Sequence, residues 1–334
     1  MSYNELSVLV TGGCGFIGSH IVEHFLKRTL MNIVIIDKLT YAANGYDRLR
    51  DISCFDDKRI RIFPVDFTKS LSEGVVKEIG NLDFIIHLGA ETHVDNSIKD
   101  PEPFVMSNVV GTMHLLNYAR TLPNLRKFIY FSTDEVFGPA PQGHTYREWD
   151  RYNSTNPYAA TKAGGEELCL AYANTYKLPV FITHTMNAFG ERQHPEKFIP
   201  STIRKVLSGD KVIIHSNPAR TKAGSRFYIH ARNIASAILF LLDRGANREK
   251  YNIVGEKEVS NLDMAKFISN TLSKELKYEM EDFHGSRPGH DLRYALDGYK
   301  MKEMGWEVPV TFEDSLTKTI NWYLDDKNKK WLNW

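Results

Sequence analysis

The sequence predicts an α/β protein built on a doubly wound parallel sheet, followed by a smaller mixed α/β region. Two observations predict it. Short apolar runs alternate strictly with longer amphipathic stretches through the first half of the chain, and the first run leads through a glycine-rich turn into the first helix. Leu6–Val10, Ile33–Ile36, Ile60–Val65, Phe84–His87, Phe128–Phe131 and Val180–Thr183 are rich in Val, Ile and Phe and bounded by turn residues, as buried strands are. Between them Phe16–Arg28, Ser70–Ile79, Pro103–Arg120 and Pro157–Tyr176 have helical patterns. Beyond a boundary near residue 185 the pattern is less regular. Lys197–Ser208, Ile234–Leu242 and Asn261–Lys277 read as helices, separated by clusters such as Ser216-Asn217-Pro218 and Ser286-Arg287-Pro288-Gly289.

Composition excludes several classes. The 334 residues carry 42 Lys+Arg against 41 Asp+Glu, a net charge of +1, without the basic excess of a nucleic-acid binder. The longest apolar run, Ile234 to Leu242, is far short of the roughly 20 residues of a membrane helix. The first residues show no basic n-region or signal-peptide core. Cys14, Cys54 and Cys169 are too few and too scattered for a disulfide framework or a zinc site. His20 and His24 are one helical turn apart, but no third ligand follows at metal-site spacing. The expectation is a reduced, cytoplasmic protein with no metal, no nucleic-acid partner and no membrane partner.

The turn after the first strand is Thr11-Gly12-Gly13-Cys14-Gly15-Phe16-Ile17-Gly18. Gly12, Gly15 and Gly18 have the spacing of a dinucleotide loop. The first glycine makes the turn, the second lets backbone N–H groups reach a pyrophosphate, and the third lets helix and strand pack closely. The helix N-terminus favours the phosphates. Asp37 ends the second strand 19 residues after Gly18, where a carboxylate hydrogen-bonds an adenosine ribose. The sheet is therefore expected to be of the Rossmann type. Asp37 favours NAD over NADP, because it repels a 2′-phosphate; the adjacent Lys38 weakens that preference.

Tyr158 and Lys162 lie at i, i+4 on Pro157–Tyr176, hence on one helix face. A nearby ammonium favours a phenolate, which makes tyrosine a usable base. Tyr323 and Lys327 match the same pattern and are read as a solvated helix face. Tyr158 differs because it follows a strand ending in Phe131-Ser132-Thr133-Asp134-Glu135, and ligands bind beyond the carboxyl ends of strands in open sheets.

Taken together, the glycine loop, Asp37 and the Tyr-x-x-x-Lys pair resemble an extended short-chain dehydrogenase/reductase. Ser132-Thr133-Asp134-Glu135-Val136-Phe137-Gly138 narrows the resemblance to the nucleotide-sugar 4,6-dehydratases. Ala90 to Ser97 resembles that family's active-site loop, Asn108 with Gly111-Thr112 its NxxGT helix, and His194 to Pro200 and Arg287 to Asp291 its nucleotide-sugar segments. The resemblance spans roughly residues 6 to 310.

The resemblance implies NAD as cofactor and a nucleotide diphosphate sugar as substrate. Oxidation at C4 would acidify the C5 proton, water would leave across C5–C6, and the hydride would return to C6. Tyr158 would take the C4 hydroxyl proton, tuned by Lys162 and Thr133. Glu135 would remove the C5 proton and Asp134 would protonate the departing C6 hydroxyl, which needs two carboxyls with separated pKa values. Further cofactor contacts would come from Phe16, Ile17 and Asp66. The diphosphate sugar would meet His93, Asn187, Lys197, Arg226, Arg287 and His290. The resemblance also implies residues 1–185, with 226–250, as the NAD-binding domain and 186–225 with 251–334 as the substrate domain. Homodimerisation would run through a four-helix bundle of Pro103–Arg120 and Pro157–Tyr176.

The chain departs from the family pattern at several points. Arg232-Asn233 stand where acidic residues are usual, His184 where Arg is usual, Ala188 in place of a second Asn, and Gly89-Ala90 in place of Ala-Ala. These bear on the sugar and the base, leaving dTDP-glucose, UDP-glucose and UDP-N-acetylglucosamine open. Other readings are a dehydratase that also inverts C5, a C4 epimerase, and a non-enzymatic NAD-binding sensor.

Overall fold

The computed structural model describes residues 6–282 and 291–333. In chain order the first half contains β1 (Ser7–Thr11), α1 (Phe16–Arg28), β2 (Asn32–Ile36), a short α2 (Asp47–Asp51), β3 (Ile60–Phe63), α3 (Glu73–Ile79), β4 (Phe84–His87) and α4 (Val94–Lys99). Then α5 (Glu102–Val105) runs through a π turn, Met106–Val110, into α6 (Gly111–Ala119). β5 (Lys127–Thr133), α7 (Pro157–Tyr176) and β6 (Val180–Thr185) complete it. The second half adds β7 (Ala188–Phe189), α8 (Phe198–Ser208), β8 (Val212–Ser216), β9 (Ser225–Arg226), β10 (Ile229–His230), α9 (Ala231–Arg244) and β11 (Lys250–Ile253). Last come β12 (Val259–Ser260), α10 (Asn261–Thr271), β13 (Tyr278–Asp282), α11 (Tyr299–Glu303) and α12 (Phe312–Leu324).

Seven strands form one parallel sheet in the order β11-β6-β5-β4-β1-β2-β3. Period-2 alternation sends Val8, Val10, Ile33 and Ile35 to one face, with Ile21 and Phe25 of α1 and Ile234, Ile238 and Leu241 of α9. Leu9, Val34, Ile36 and Ile85 point the other way, toward Leu115 and Leu116 of α6 and Cys169 and Ala173 of α7. A third core joins α8, α10 and α12 through Ile199, Ile203, Met264, Ile268, Leu316 and Ile320. No helix among the described residues is long and apolar enough to cross a membrane.

The six predicted strands are all present, and β5 and β6 run two residues further than their apolar cores. The additional residues, Ser132-Thr133 and His184-Thr185, are polar but buried, so hydropathy ended the strands early. β11 is the seventh strand, and Lys250 and Asn252 masked its apolar character. The predicted helix to Lys277 stops at Thr271, because Ser273 takes a left-handed φ of 51°.

Tyr323 corrects an expectation. It is fully buried, its hydroxyl donates to the Gly190 carbonyl at 3.3 Å and accepts from the Gln193 N–H at 3.2 Å. It is a core residue pinning the 190–193 loop, whereas Lys327 lies beyond the helix, exposed, beside Asp325 at 3.2 Å.

Candidate active site

The chain reverses direction of winding between β1 and β4, and a cleft of about 360 Å³ opens at their carboxyl ends. Gly12 has φ +69°, and a Cβ there would stand 2.9 Å from the Gly89 Cα. A Cβ on Gly18 would stand 2.1 Å from the Gly12 carbonyl oxygen. Bare backbone therefore forms the floor where α1 begins, with its first N–H groups toward the cleft. Asp37 lies beside this cradle. Its carboxylate accepts from Cys14 N–H at 3.0 Å and Leu39 N–H at 2.9 Å, while burial raises its pKa. A pyrophosphate on the glycine cradle and a ribose at Asp37 fit these groups. Lys38 also lines the cleft and reaches Glu91 at 2.8 Å.

The carboxyl end of β5 supplies the chemistry. Thr133 is the last extended residue, and Asp134–Phe137 turns at once into a 3₁₀ helix. Thr133 Oγ1 donates to Asp134 Oδ1 at 3.0 Å and accepts from the Glu135 N–H at 3.3 Å. Asp134 Oδ2 is buried without a partner. Burial, then the neighbouring Glu135, pushes the Asp134 pKa up to about 7, while Arg226 pulls it down. Glu135 is also raised by burial, but Asn156, Arg226 and Lys197 favour its ionised form. Asn156 has two tasks: Oδ1 caps α7 by accepting from Ala159 N–H at 2.8 Å, and Nδ2 donates to Glu135 Oε2 at 3.0 Å.

α7 presents Tyr158 and Lys162 to the same cleft. Pro157 occupies the first helical turn, and Ser97 Oγ accepts from the Tyr158 N–H at 3.1 Å, docking α4 against it. Burial pushes Lys162 down to about 8, and its Nζ stands 4.3 Å from the centre of the Tyr130 ring. The Tyr158 pKa is raised, first by burial and then by Glu135; a hydrogen bond with Thr133 opposes the shift. The sequence led us to expect Lys162 to lower it. Burial of the Tyr158 hydroxyl is the leading cause of the shift, and Lys162 does not offset it.

Of the other residues singled out in the sequence, Gly15, Phe16, Ile17, Asn187 and Lys197 line the cleft, and Asn187 Oδ1 is buried without a partner. Asp66 is exposed and caps a turn through Thr68 N–H at 2.9 Å, while its neighbour Phe67 lines the cleft. His93 caps α4 and lies 3.6 Å from Glu196. Arg226 stacks 4.5 Å from the centre of the Tyr294 ring and donates to the backbone carbonyls of Ser225, Asp291 and Leu292 at 2.6–2.8 Å. Arg287 and His290 lie outside the described residues.

Sequence reasoning missed Arg48, which is fully buried and donates to the carbonyls of Ala42 and Ala43 at 2.8 and 2.7 Å and of Arg192 at 2.9 Å. It ties the wall of the cofactor cleft to the 190–193 loop. Nothing in the sequence separates such an arginine from a surface charge. Also missed was Glu166, one turn beyond Lys162. It accepts from Ser132 and Tyr152 and lies 3.1 Å from His184 and 3.5 Å from Lys250. The i, i+4, i+8 spacing of Tyr158, Lys162 and Glu166 was the available signal. Gly89 is explained too: a Cβ there would stand 2.5 Å from the Phe67 ring.

A glycine cradle and carboxylate at the switch point, with a Tyr-Lys helix across the cleft, define an extended short-chain dehydrogenase/reductase. The profile of the NAD dependent epimerase/dehydratase family matches residues 8–254, and the chain belongs to that family. The Escherichia coli dTDP-glucose 4,6-dehydratase is 35% identical, covering 98% of this chain and 95% of the relative. The solved dTDP-glucose 4,6-dehydratase of Streptomyces venezuelae, with NAD bound, superposes with a TM-score of 0.86 at 32% identity, covering 98% of this chain and 99% of that one. The Thermus thermophilus UDP-glucose 4-epimerase, in complex with NAD, gives 0.83 at 25% identity, covering 96% and 100%.

Proposed function

We propose that the chain is an NAD-dependent nucleotide-sugar 4,6-dehydratase that converts an NDP-hexose to its 4-keto-6-deoxy sugar with loss of water. The observation that carries this reading is the carboxyl pair at the end of β5. Asp134 and Glu135 line the same cleft as Tyr158, and burial raises both: Asp134 reaches about 7 with Glu135 adding to the rise, whereas at Glu135 burial is opposed by the Asn156 hydrogen bond, Arg226 and Lys197. A C4 epimerase has no proton to move at C5 or C6 and no use for such a pair.

The glycine cradle and Asp37 hold NAD. When bound, NAD would supply a reversible hydride acceptor for sugar C4 and C6. Tyr158 takes the proton of the C4 hydroxyl as its phenolate, the form that the Thr133 hydrogen bond favours against burial. Lys162, one helical turn from Tyr158 in the same cleft and pushed down to about 8 by burial, is the cation of this reading. Glu135 takes the C5 proton and Asp134 gives its proton to the C6 hydroxyl, which departs as water; as the hydride returns to C6, Glu135 gives a proton back to C5 and the C4 ketone remains. Asn156 holds Glu135 in place from the cap of the helix that carries Tyr158.

We assign the diphosphate to Asn187, Lys197, Arg226 and Arg287, and further substrate contacts to His93 and His290 on the family resemblance, because these offer an amide and cations for phosphate oxygens. In this reading residues 1–185, with 226–250, hold the cofactor, and 186–225 with 251–334 hold the nucleotide sugar. Dimerisation through α5–α6 and α7 is supported by Ile98, Val105 and Met106, apolar residues 38%, 43% and 39% exposed on this side of the protein. The test is mass spectrometry of products from dTDP-glucose, UDP-glucose and UDP-N-acetylglucosamine. Loss of one water from one of them is expected, and conversion without change of mass would instead establish an epimerase.

A further inference from the structure

We propose that the cleft between α1, α9 and α12 is a second binding pocket, for a small phosphorylated ligand bearing free hydroxyls. It lies on the α1/α9 side of the sheet, separated from the cofactor cleft by the loop at residues 190–193, and its volume is about 630 Å³. The assignment is independent of the dehydratase reading.

The lining is cationic. Lys27 and Arg28 come from α1, Arg192 from the loop, Arg232 from α9 and Lys318 from α12, against the two carboxylates Glu23 and Glu191. Both carboxylates are already engaged. Glu191 pairs with His230 at 3.0 Å and Arg232 at 3.3 Å, and Glu23 pairs with Lys27 and, at 3.7 Å, with Arg192. Arg28 and Lys318 have no ion pair with a described residue. The surplus of positive charge is therefore not neutralised from within.

Two buried polar side chains in the lining are incompletely satisfied. Arg192 is 7% exposed and pairs with Asp51 at 3.2 Å, yet its Nε–H has no acceptor. Asn233 is 2% exposed; its Nδ2 donates to the Val310 carbonyl at 2.8 Å, and its Oδ1 has no donor. Buried polar atoms without partners are uncommon and costly. One needs an acceptor and the other a donor, which a phosphate oxygen and a hydroxyl on one ligand would supply together. Arg232 and Asn233 are also the positions where the family resemblance leads one to expect acidic residues, so the charge of this pocket is a property of this chain.

The pocket is connected to the cofactor site. The Arg192 carbonyl accepts from Arg48 Nε at 2.9 Å, and Arg48 holds the carbonyls of Ala42 and Ala43 in the cofactor cleft wall. A ligand that shifts Arg192 changes NAD affinity, and by reciprocity NAD changes affinity for the ligand.

The experiment is calorimetric titration of inorganic pyrophosphate into the protein saturated with NAD and with dTDP and UDP, which fill the diphosphate subsite assigned above. Saturable binding that weakens with salt is expected. Arg28→Glu with Lys318→Glu, both on exposed side chains, weakens it by roughly tenfold or more, since two charge-assisted contacts are reversed. Absence of binding, or binding indifferent to the double variant, overturns the proposal. A hexose phosphate and a nucleoside monophosphate, titrated in the same way, distinguish the two sources of such a ligand. If neither binds more tightly than pyrophosphate, the role given to Asn233 is wrong.

Discussion

Asp134 as the acid for the departing hydroxyl fixes the pH dependence of turnover. Its carboxyl is 4% exposed, accepts one hydrogen bond from Thr133 and has a free Oδ2. Burial and then Glu135 raise it to about 7, and Arg226 opposes them. The reaction needs the protonated form, so kcat/KM falls above a pH of about 7, and each further unit removes roughly tenfold of the competent acid. Arg226→Gln removes a cation that favours the carboxylate. Asp134 then keeps its proton to higher pH, and the falling limb moves upward. Asp134→Asn removes the limb at about 7, leaving only the fall above about 8 where Lys162 loses its charge, and lowers the rate by about 10² to 10⁴, the usual contribution of one general acid. The assay is initial-rate formation of the 4-keto-6-deoxy sugar from about pH 5 to about pH 10, with circular dichroism to confirm folding. A limb that stays at about 7 in Asp134→Asn, or that moves down in Arg226→Gln, refutes the assignment.

Glu135→Gln leaves Tyr158 and Lys162 in place, so C4 oxidation continues while elimination slows by about 10² to 10⁴; stopped-flow absorbance at the reduced-nicotinamide band then shows accumulation. Tyr158→Phe nearly abolishes turnover with NAD affinity unchanged by fluorescence titration, because only the proton-transfer oxygen is removed. The wild-type protein binds NAD more tightly than NADP, and Asp37→Ala narrows that difference in the same titration. Tyr323→Phe leaves the Gln193 N–H without its acceptor in a buried loop and lowers stability by about 1 to 3 kcal/mol, read from denaturant unfolding.

The sequence by itself determined the sheet and its ligand edge. Val, Ile and Phe in short runs must be buried on both faces of a parallel sheet, and a glycine loop between β1 and α1 leaves backbone as the only surface a phosphate can meet. Tyr158 and Lys162 were legible because the helix period places i and i+4 together. Asp134 and Glu135 were legible as residues following a strand, since strand ends converge at the cleft.

What the sequence did not determine depends on neighbours far along the chain. A carboxyl is raised to about 7 only where other segments exclude water from it, and the sequence of Asp134 is that of any polar turn. Tyr323 and Arg48 looked like surface residues because hydropathy assigns polarity to a side chain, whereas the fold supplied carbonyls and N–H groups that satisfy it inside. β11 was hidden for the same reason, with Lys250 and Asn252 buried against Glu166 and His184. The Arg192–Asn233 pocket belongs to this group as well. Its walls come from α1, the 190–193 loop, α9 and α12, segments up to about 300 residues apart that only the packing of helices on one face of the sheet brings together.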